Sequence, residues 1–126
     1  MRLWHQDLIP WLPRQQLLGQ HRELAALRGR GWGKAHATVN YVFQYSPYKL
    51  YQFHLLVLAE MQHRHYHPNA KWYDPYYRGQ YCSPYLQLNI CSWTNPLYPE
   101  HDQDYLQICL INLEHKGIEL AVNLKK

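Results

Sequence analysis

The sequence predicts a mainly α fold, a single domain of three packed helices with a long aromatic-rich irregular loop. Three observations lead there. With 126 residues, the chain is long enough to bury roughly two-thirds of the surface its unfolded form exposes, which suits one core. Apolar residues recur at helical spacing in three separate windows, each bounded by start and stop residues. Between the second and third windows, residues 66–98 show no sustained period.

The first window is residues 13–28. Pro13 suits the first helical position and Gly29 stands just past the end. Leu17, Leu18, Leu24 and Ala25 fall on one side of this helix. The same wheel turns Glu23 away from them, onto a side shared with Gln16, Gly19 and Gln20. Gly19, one turn before Glu23, leaves room for approach to the carboxylate. Residues 29–45 open as a glycine-rich loop and become β-prone or irregular. Ser46 and Pro47 read as an N-cap and first turn, opening a second helix to about His65 with Leu50, Phe53, Val57, Leu58 and Met61 as its core stripe. Residues 66–98 are rich in Pro, Tyr, Asn and Trp and read as a binding loop. A third helix runs from about Pro99 to Lys116, with Glu100, Asp102 and Asp104 near its positive end, Gly117 as the stop, and Leu106, Cys109, Leu110 and Leu113 on its buried side. The tail from Ile118 to Lys126 is a short strand or trails off.

The net charge of +4 is unevenly spread. Residues 1–34 carry six cations (Arg2, Arg14, Arg22, Arg28, Arg30, Lys34) against Asp7 and Glu23, and the remaining residues balance at seven and seven. All excess positive charge therefore lies in the first quarter, which fits an anionic partner there and equally a solvated basic face. Twelve tyrosines add side chains that join a stacking face to a polar tip, as a wet binding surface requires. Three cysteines (Cys82, Cys91, Cys109) lack Cys-x-x-Cys spacing, and their odd number argues against a closed disulfide framework, so they read as core thiols in a cytoplasmic protein. No apolar run approaches the roughly eighteen residues of a membrane span, and the opening lacks the pattern of a signal peptide, so the N-terminus is expected to be retained.

Gly29-Arg30-Gly31-Trp32-Gly33-Lys34 combines a pliable backbone with two cations and an aromatic, suited either to phosphate contact with base stacking or to a simple connector. It lacks the spacing of a phosphate-loop NTPase. His36 follows closely enough to touch a phosphate. His63, His65 and His67 alternate, but positions two apart on a helix diverge, so no metal or other cofactor is expected. At the start, Leu3, Trp4, Leu8 and Ile9 should anchor the terminus. An α-amine as a class ionises at about 7.7–8.0, against about 10.4 for lysine, which makes a terminal amine a usable nucleophile near neutrality. Arg2 is too bulky for ordinary methionine removal, so the reactive amine would be that of Met1.

An opening Met1-Arg2-Leu3-Trp4-His5 followed by Gln16-Leu17-Leu18-Gly19-Gln20-His21-Arg22-Glu23, with Gly31-Trp32-Gly33-Lys34 and Ser46-Pro47-Tyr48-Lys49-Leu50, resembles the pyrimidine-dimer DNA glycosylase/AP-lyase family of the phage endonuclease V type, and more closely a bacterial branch of it. The likeness covers about residues 1–65, through Ala59-Glu60-Met61 and Arg64. It implies a DNA repair enzyme of residues 1–126, monomeric and free of cofactors, acting on damaged double-stranded DNA. Met1 would supply the attacking amine and Glu23 would stabilise the cationic sugar–amine intermediate and move the proton for elimination. Arg22 would contact DNA and Arg2 would line the same site, with Arg30, Lys34 and His36 as further DNA-binding residues. The chain departs from the phage pattern at Gln16, where a histidine stands, at Ala26, where an arginine stands, at its first residue, and in a tail without the aromatic, lysine-containing ending. The alternative is a non-catalytic nucleic-acid-binding module, and a third reading is a regulatory protein with a protein partner. Borohydride trapping separates the first two, and salt-indifferent DNA affinity would mark the third.

Overall fold

The computed structural model describes residues 1–120. Helices α1 (Arg14–Arg28), α2 (Pro47–His63) and α3 (Gln103–His115) are joined by short 3-10 helices at Gln6–Trp11, Asn40–Gln44 and Ala70–Tyr73. Among the described residues there is no strand, which corrects the β-prone reading of 29–45. That stretch is a series of tight turns, Gly31 N–H to the Ala26 carbonyl and Lys34 N–H to that of Gly31, followed by a 3-10 turn that sends Val39 and Val42 into the core. A lone extended segment would leave its main-chain groups without a neighbouring strand to take them.

The boundaries move by a few residues for identifiable reasons. Pro13 is the N-cap of α1, with ψ 159°, and not its first helical residue. Ser46 caps α2 as expected, its hydroxyl accepting from the Tyr48 N–H. That helix stops at His63, before the expected His65, which takes the left-handed φ of 70°. α3 starts four residues later than Pro99 because the Asp102 carboxylate accepts from the Tyr105 N–H and makes the stronger cap. Glu100 consequently lies outside the helix, where its carboxylate accepts from the Tyr45 hydroxyl. Of the tail, residues 118–120 form no regular element and the rest lies outside the described residues.

One apolar cluster joins Leu3, Leu8 and Leu12 of the N-terminal segment, Leu17, Leu24 and Leu27 of α1, the expected stripes of α2 and α3, and Leu97 and Tyr98 just before α3. The long loop is fastened differently. Its hub is Arg28, buried to 4% exposure, whose Nη1 donates to the Trp72 carbonyl (2.9 Å) and whose Nη2 donates to those of Asp74 (2.8 Å) and Tyr77 (3.1 Å). The guanidinium lies between the rings of Tyr51 and Trp72, at 5.3 and 5.0 Å. It also donates to His54 Nδ1 at 3.0 Å, so the neutral His54 carries its proton on Nε2, which donates a hydrogen bond to His21 Nδ1 at 2.9 Å. Burial, with the Arg28 charge behind it, holds both imidazoles below their ordinary range, that of His54 far below. Burial also lowers Arg28 to about 10, still charged at neutral pH. Arg28 therefore does not belong to a partner-facing basic surface, as its place among the six N-terminal cations had implied.

Candidate active site

The N-terminal segment crosses the side of α1 that carries Gln20 and Glu23. Because Leu3 and Trp4 are buried there, that side is covered and not open. Gln20, grouped by the helical wheel with Glu23, is fully buried. Its oxygen accepts from the Trp4 N–H (2.7 Å), and its amide nitrogen donates to the Arg2 carbonyl (3.1 Å) and to Glu23 Oε2 (3.3 Å). The Thr38 hydroxyl donates to the Met1 carbonyl and lies 3.0 Å from His36 Nδ1, while the Tyr105 hydroxyl donates to the Leu3 carbonyl.

These contacts leave a cavity of about 280 Å³ lined by Met1, Arg2, Trp4, Glu23, Thr38, Asn112 and Lys116. Three of the expected residues thus share one wall system. Thr38, Asn112 and Lys116, together with Gln20 beneath, were not foreseen. Asn112 in the last turn of α3 and Lys116 at its C-cap stand four apart, a spacing that turns both to one side. That spacing is the only sequence signal they offered, since nothing in it says which side faces the terminus.

Electrostatically, Glu23 is the singular group. Half-burial raises its carboxyl above the usual carboxylate range, and the Met1 amine, Arg22, His36 and Lys116 together pull it back only in part. The ion pairs among the described residues are His5–Asp7 and Arg64–Glu60, so Glu23 is in neither. It is a carboxylate facing a polar cavity within a ring of positive charge, with its one amide donor below. On the α3 side, burial raises the Tyr105 hydroxyl and the Cys109 thiol, and the Arg2 charge opposes both shifts.

The other expected residues lie outside the cavity wall. Arg22 is exposed, and its Nη2 sits 3.8 Å from where a Cβ on Gly19 would be, an ordinary contact with the tip of a flexible side chain. Arg30 is exposed and stacks 5.1 Å over the Tyr81 ring, and Lys34 and His36 are exposed as well. Trp32 is not a free stacking platform, because it is half-buried edge-on against Phe43 at 5.0 Å. The glycines around it serve packing. A Cβ on Gly29 would come within 2.7 Å of the Arg78 carbonyl, and one on Gly31 within 2.9 Å of that of Ala26. Among the described residues no group of three His, Cys, Asp or Glu is placed to hold a metal, and no helix is long and apolar enough to cross a membrane. Further hollows lie elsewhere among the described residues. One of about 550 Å³ is lined by Gln6, Asp7, Ile9, Pro10, Leu56, Ala59, Glu60 and Asn95, without a cation and without the terminal residue in its wall.

A helical protein that gathers its chain start, a raised carboxyl and a set of cations around one polar cavity has the makings of an enzyme for an anionic polymer. The profile of the pyrimidine dimer DNA glycosylase family matches residues 1–74, more than half of the chain, and the protein belongs to that family. No curated protein and no solved structure shows a significant match. The matched segment includes Met1, Gln20, Glu23 and Thr38 and ends before Asn112 and Lys116.

Proposed function

We propose that the protein is a DNA N-glycosylase with AP-lyase activity that works through the Met1 amine and Glu23. The observation that carries this reading is that Met1 and Glu23 line the same cavity. A target nucleotide must first be drawn out of the stack or the duplex distorted. The unprotonated Met1 amine then attacks C1′, a C1′–N bond forms, and the damaged base departs with the electrons of its glycosidic bond. Opening of the sugar leaves a protonated imine. The Glu23 carboxylate faces that cation and takes the C2′ proton, and the C3′–O bond breaks to release the 3′ strand as a phosphate. Burial suits Glu23 to this exchange, because a carboxyl with a raised pKa holds a proton more readily than an exposed one. Arg2 and Lys116 border the cavity where a strand would enter, Arg22 and His36 lie close enough to act on the Glu23 charge, and the exposed Arg30 and Lys34 would add phosphate contacts elsewhere on the surface.

The test is borohydride reduction on an abasic-site duplex, followed by peptide mass spectrometry. The reading requires a covalent adduct on the peptide that begins with Met1, lost when the amine is acetylated. An adduct on Lys34 or Lys116, or none, overturns it.

A further inference from the structure

Residues 1–4 belong to no helix, yet successive main-chain groups in them are gripped by side chains from three separate elements. The Met1 carbonyl accepts from Thr38 in the turn before the second 3-10 helix, the Arg2 carbonyl from Gln20 of α1, and the Leu3 carbonyl from Tyr105 of α3. The Trp4 N–H closes the series on the Gln20 oxygen. Chain ends are ordinarily the least ordered part of a domain unless something ties them down. Burial of Leu3 and Trp4 would suffice to anchor the segment, so grips that reach the first carbonyl fix more than stability needs.

We propose that Thr38 and Gln20 are positioning residues that fix the direction of the Met1 amine relative to the Glu23 carboxylate. This rests on the reading of Met1 as the nucleophile. Thr38 acts on the peptide that carries the amine: with the Met1 carbonyl held, the remaining freedom of the nucleophile is rotation close to its own Cα. Thr38 is itself well placed, flanked by the fully buried Val39, whose N–H donates to the His36 carbonyl. Its single hydroxyl proton goes to Met1, so in the 3.0 Å contact with His36 the Nδ1–H of the imidazole donates and Thr38 accepts. The His36 main chain is held in turn, its N–H donating to Asn40 Oδ1 at 2.7 Å. Gln20 joins the two halves of the site. One amide hydrogen goes to the peptide after the nucleophile and the other to Glu23, so a shift in either group is felt by its neighbour. Orientation of this kind lets an attack proceed from a near-correct geometry.

The experiment compares Thr38→Val, which keeps shape but cannot donate, with Thr38→Ser, which restores the hydroxyl. Gln20→Leu is made as well, but Gln20 is buried and that variant can fail to fold, so Thr38, half-buried at the cavity wall, decides. Single-turnover borohydride trapping on an abasic-site duplex is measured across pH, with affinity for a duplex bearing a reduced abasic site measured separately. Thr38→Val should trap about 10- to 100-fold more slowly, by the same factor at every pH, with affinity unchanged; Thr38→Ser should recover most of the rate. Trapping by Thr38→Val at the wild-type rate, or slowed only in proportion to lost affinity, overturns the inference. Wild-type protein that still traps after Met1 acetylation overturns the nucleophile assignment and the clamp with it, whereas loss on acetylation together with an unaffected Thr38→Val removes the clamp alone.

Discussion

At Arg28 helix α1 buries a full positive charge, and less than two turns earlier, at Glu23, it half-buries a negative one. The two sites handle charge in opposite ways. Around Arg28, three carbonyls, a neutral imidazole and two aromatic faces absorb the guanidinium on all sides, and no ligand could approach it. Around Glu23, one amide donor supports the carboxylate from below while the cavity side stays open, with cations near but, among the described residues, none in ion-pair contact. A buried charge with every direction filled builds structure. A charge left with one direction unfilled is available to a substrate.

The largest effect that would break this comparison is on turnover. Glu23→Gln keeps size and the contact with Gln20 but cannot accept a proton, so cleavage of an abasic-site duplex should fall by roughly 10²- to 10⁴-fold with duplex affinity unchanged or tighter. Gel assays of cleavage and binding on one duplex decide it, and full cleavage would place the proton transfer elsewhere. Arg28→Met should instead leave three carbonyls and His54 without their donor and cost about 3–5 kcal/mol of stability, seen in denaturant unfolding. A loss well below 1 kcal/mol would mean that the loop does not depend on the hub.

Acid should weaken the structure through its neutral histidines. His101 accepts the Gln6 N–H on Nδ1 at 3.1 Å and meets the Tyr41 hydroxyl through Nε2 at 2.7 Å, and burial lowers it to about 3. The unfolded chain binds this proton from about pH 6.5 downward and the folded protein does not, so stability should drop as pH falls below 6.5. At pH 5 the contribution of His101 alone is about 2 kcal/mol, so unfolding curves of wild type and His101→Asn at pH 7 and 5 should differ in pH dependence by that amount. Glu23 has the opposite sign. Its raised carboxyl costs stability above its folded pKa and nothing below its unfolded one, so Glu23→Gln should melt higher than wild type at pH 7 and lose that advantage near pH 4. The smallest effect concerns the exposed cations: replacing Arg22 or Lys34 by alanine should each reduce the slope of log affinity against log salt by about one, as one lost phosphate contact does.

Much of the scaffold was legible because apolar periodicity reports which side of a helix is covered. Leu50, Phe53, Val57, Leu58 and Met61 of α2, and Leu106, Cys109, Leu110 and Leu113 of α3, are all buried as their spacing indicates. Polar residues that become buried carry no such signal. Gln20 was placed on the right side of α1, but its burial depends on a segment sixteen positions earlier folding over it, and Arg28 has the same composition signature as an exposed cation. Met1 and Glu23 stood out through resemblance to a family pattern. Thr38, Asn112 and Lys116 complete the cavity from two other parts of the chain, and no local motif announces a meeting that only tertiary packing creates.

The grip on the first carbonyl bears on how the protein is prepared and matured. Because the Met1 carbonyl is held by Thr38, the terminus has no slack to absorb extra chain. One residue left by an affinity tag would displace the amine by up to about 3.8 Å, and a formyl group retained on Met1 would convert it to an amide. With Met1 as the proposed nucleophile, either sample is expected to keep its fold and lose activity, so the intact mass of the purified protein belongs beside any assay of it.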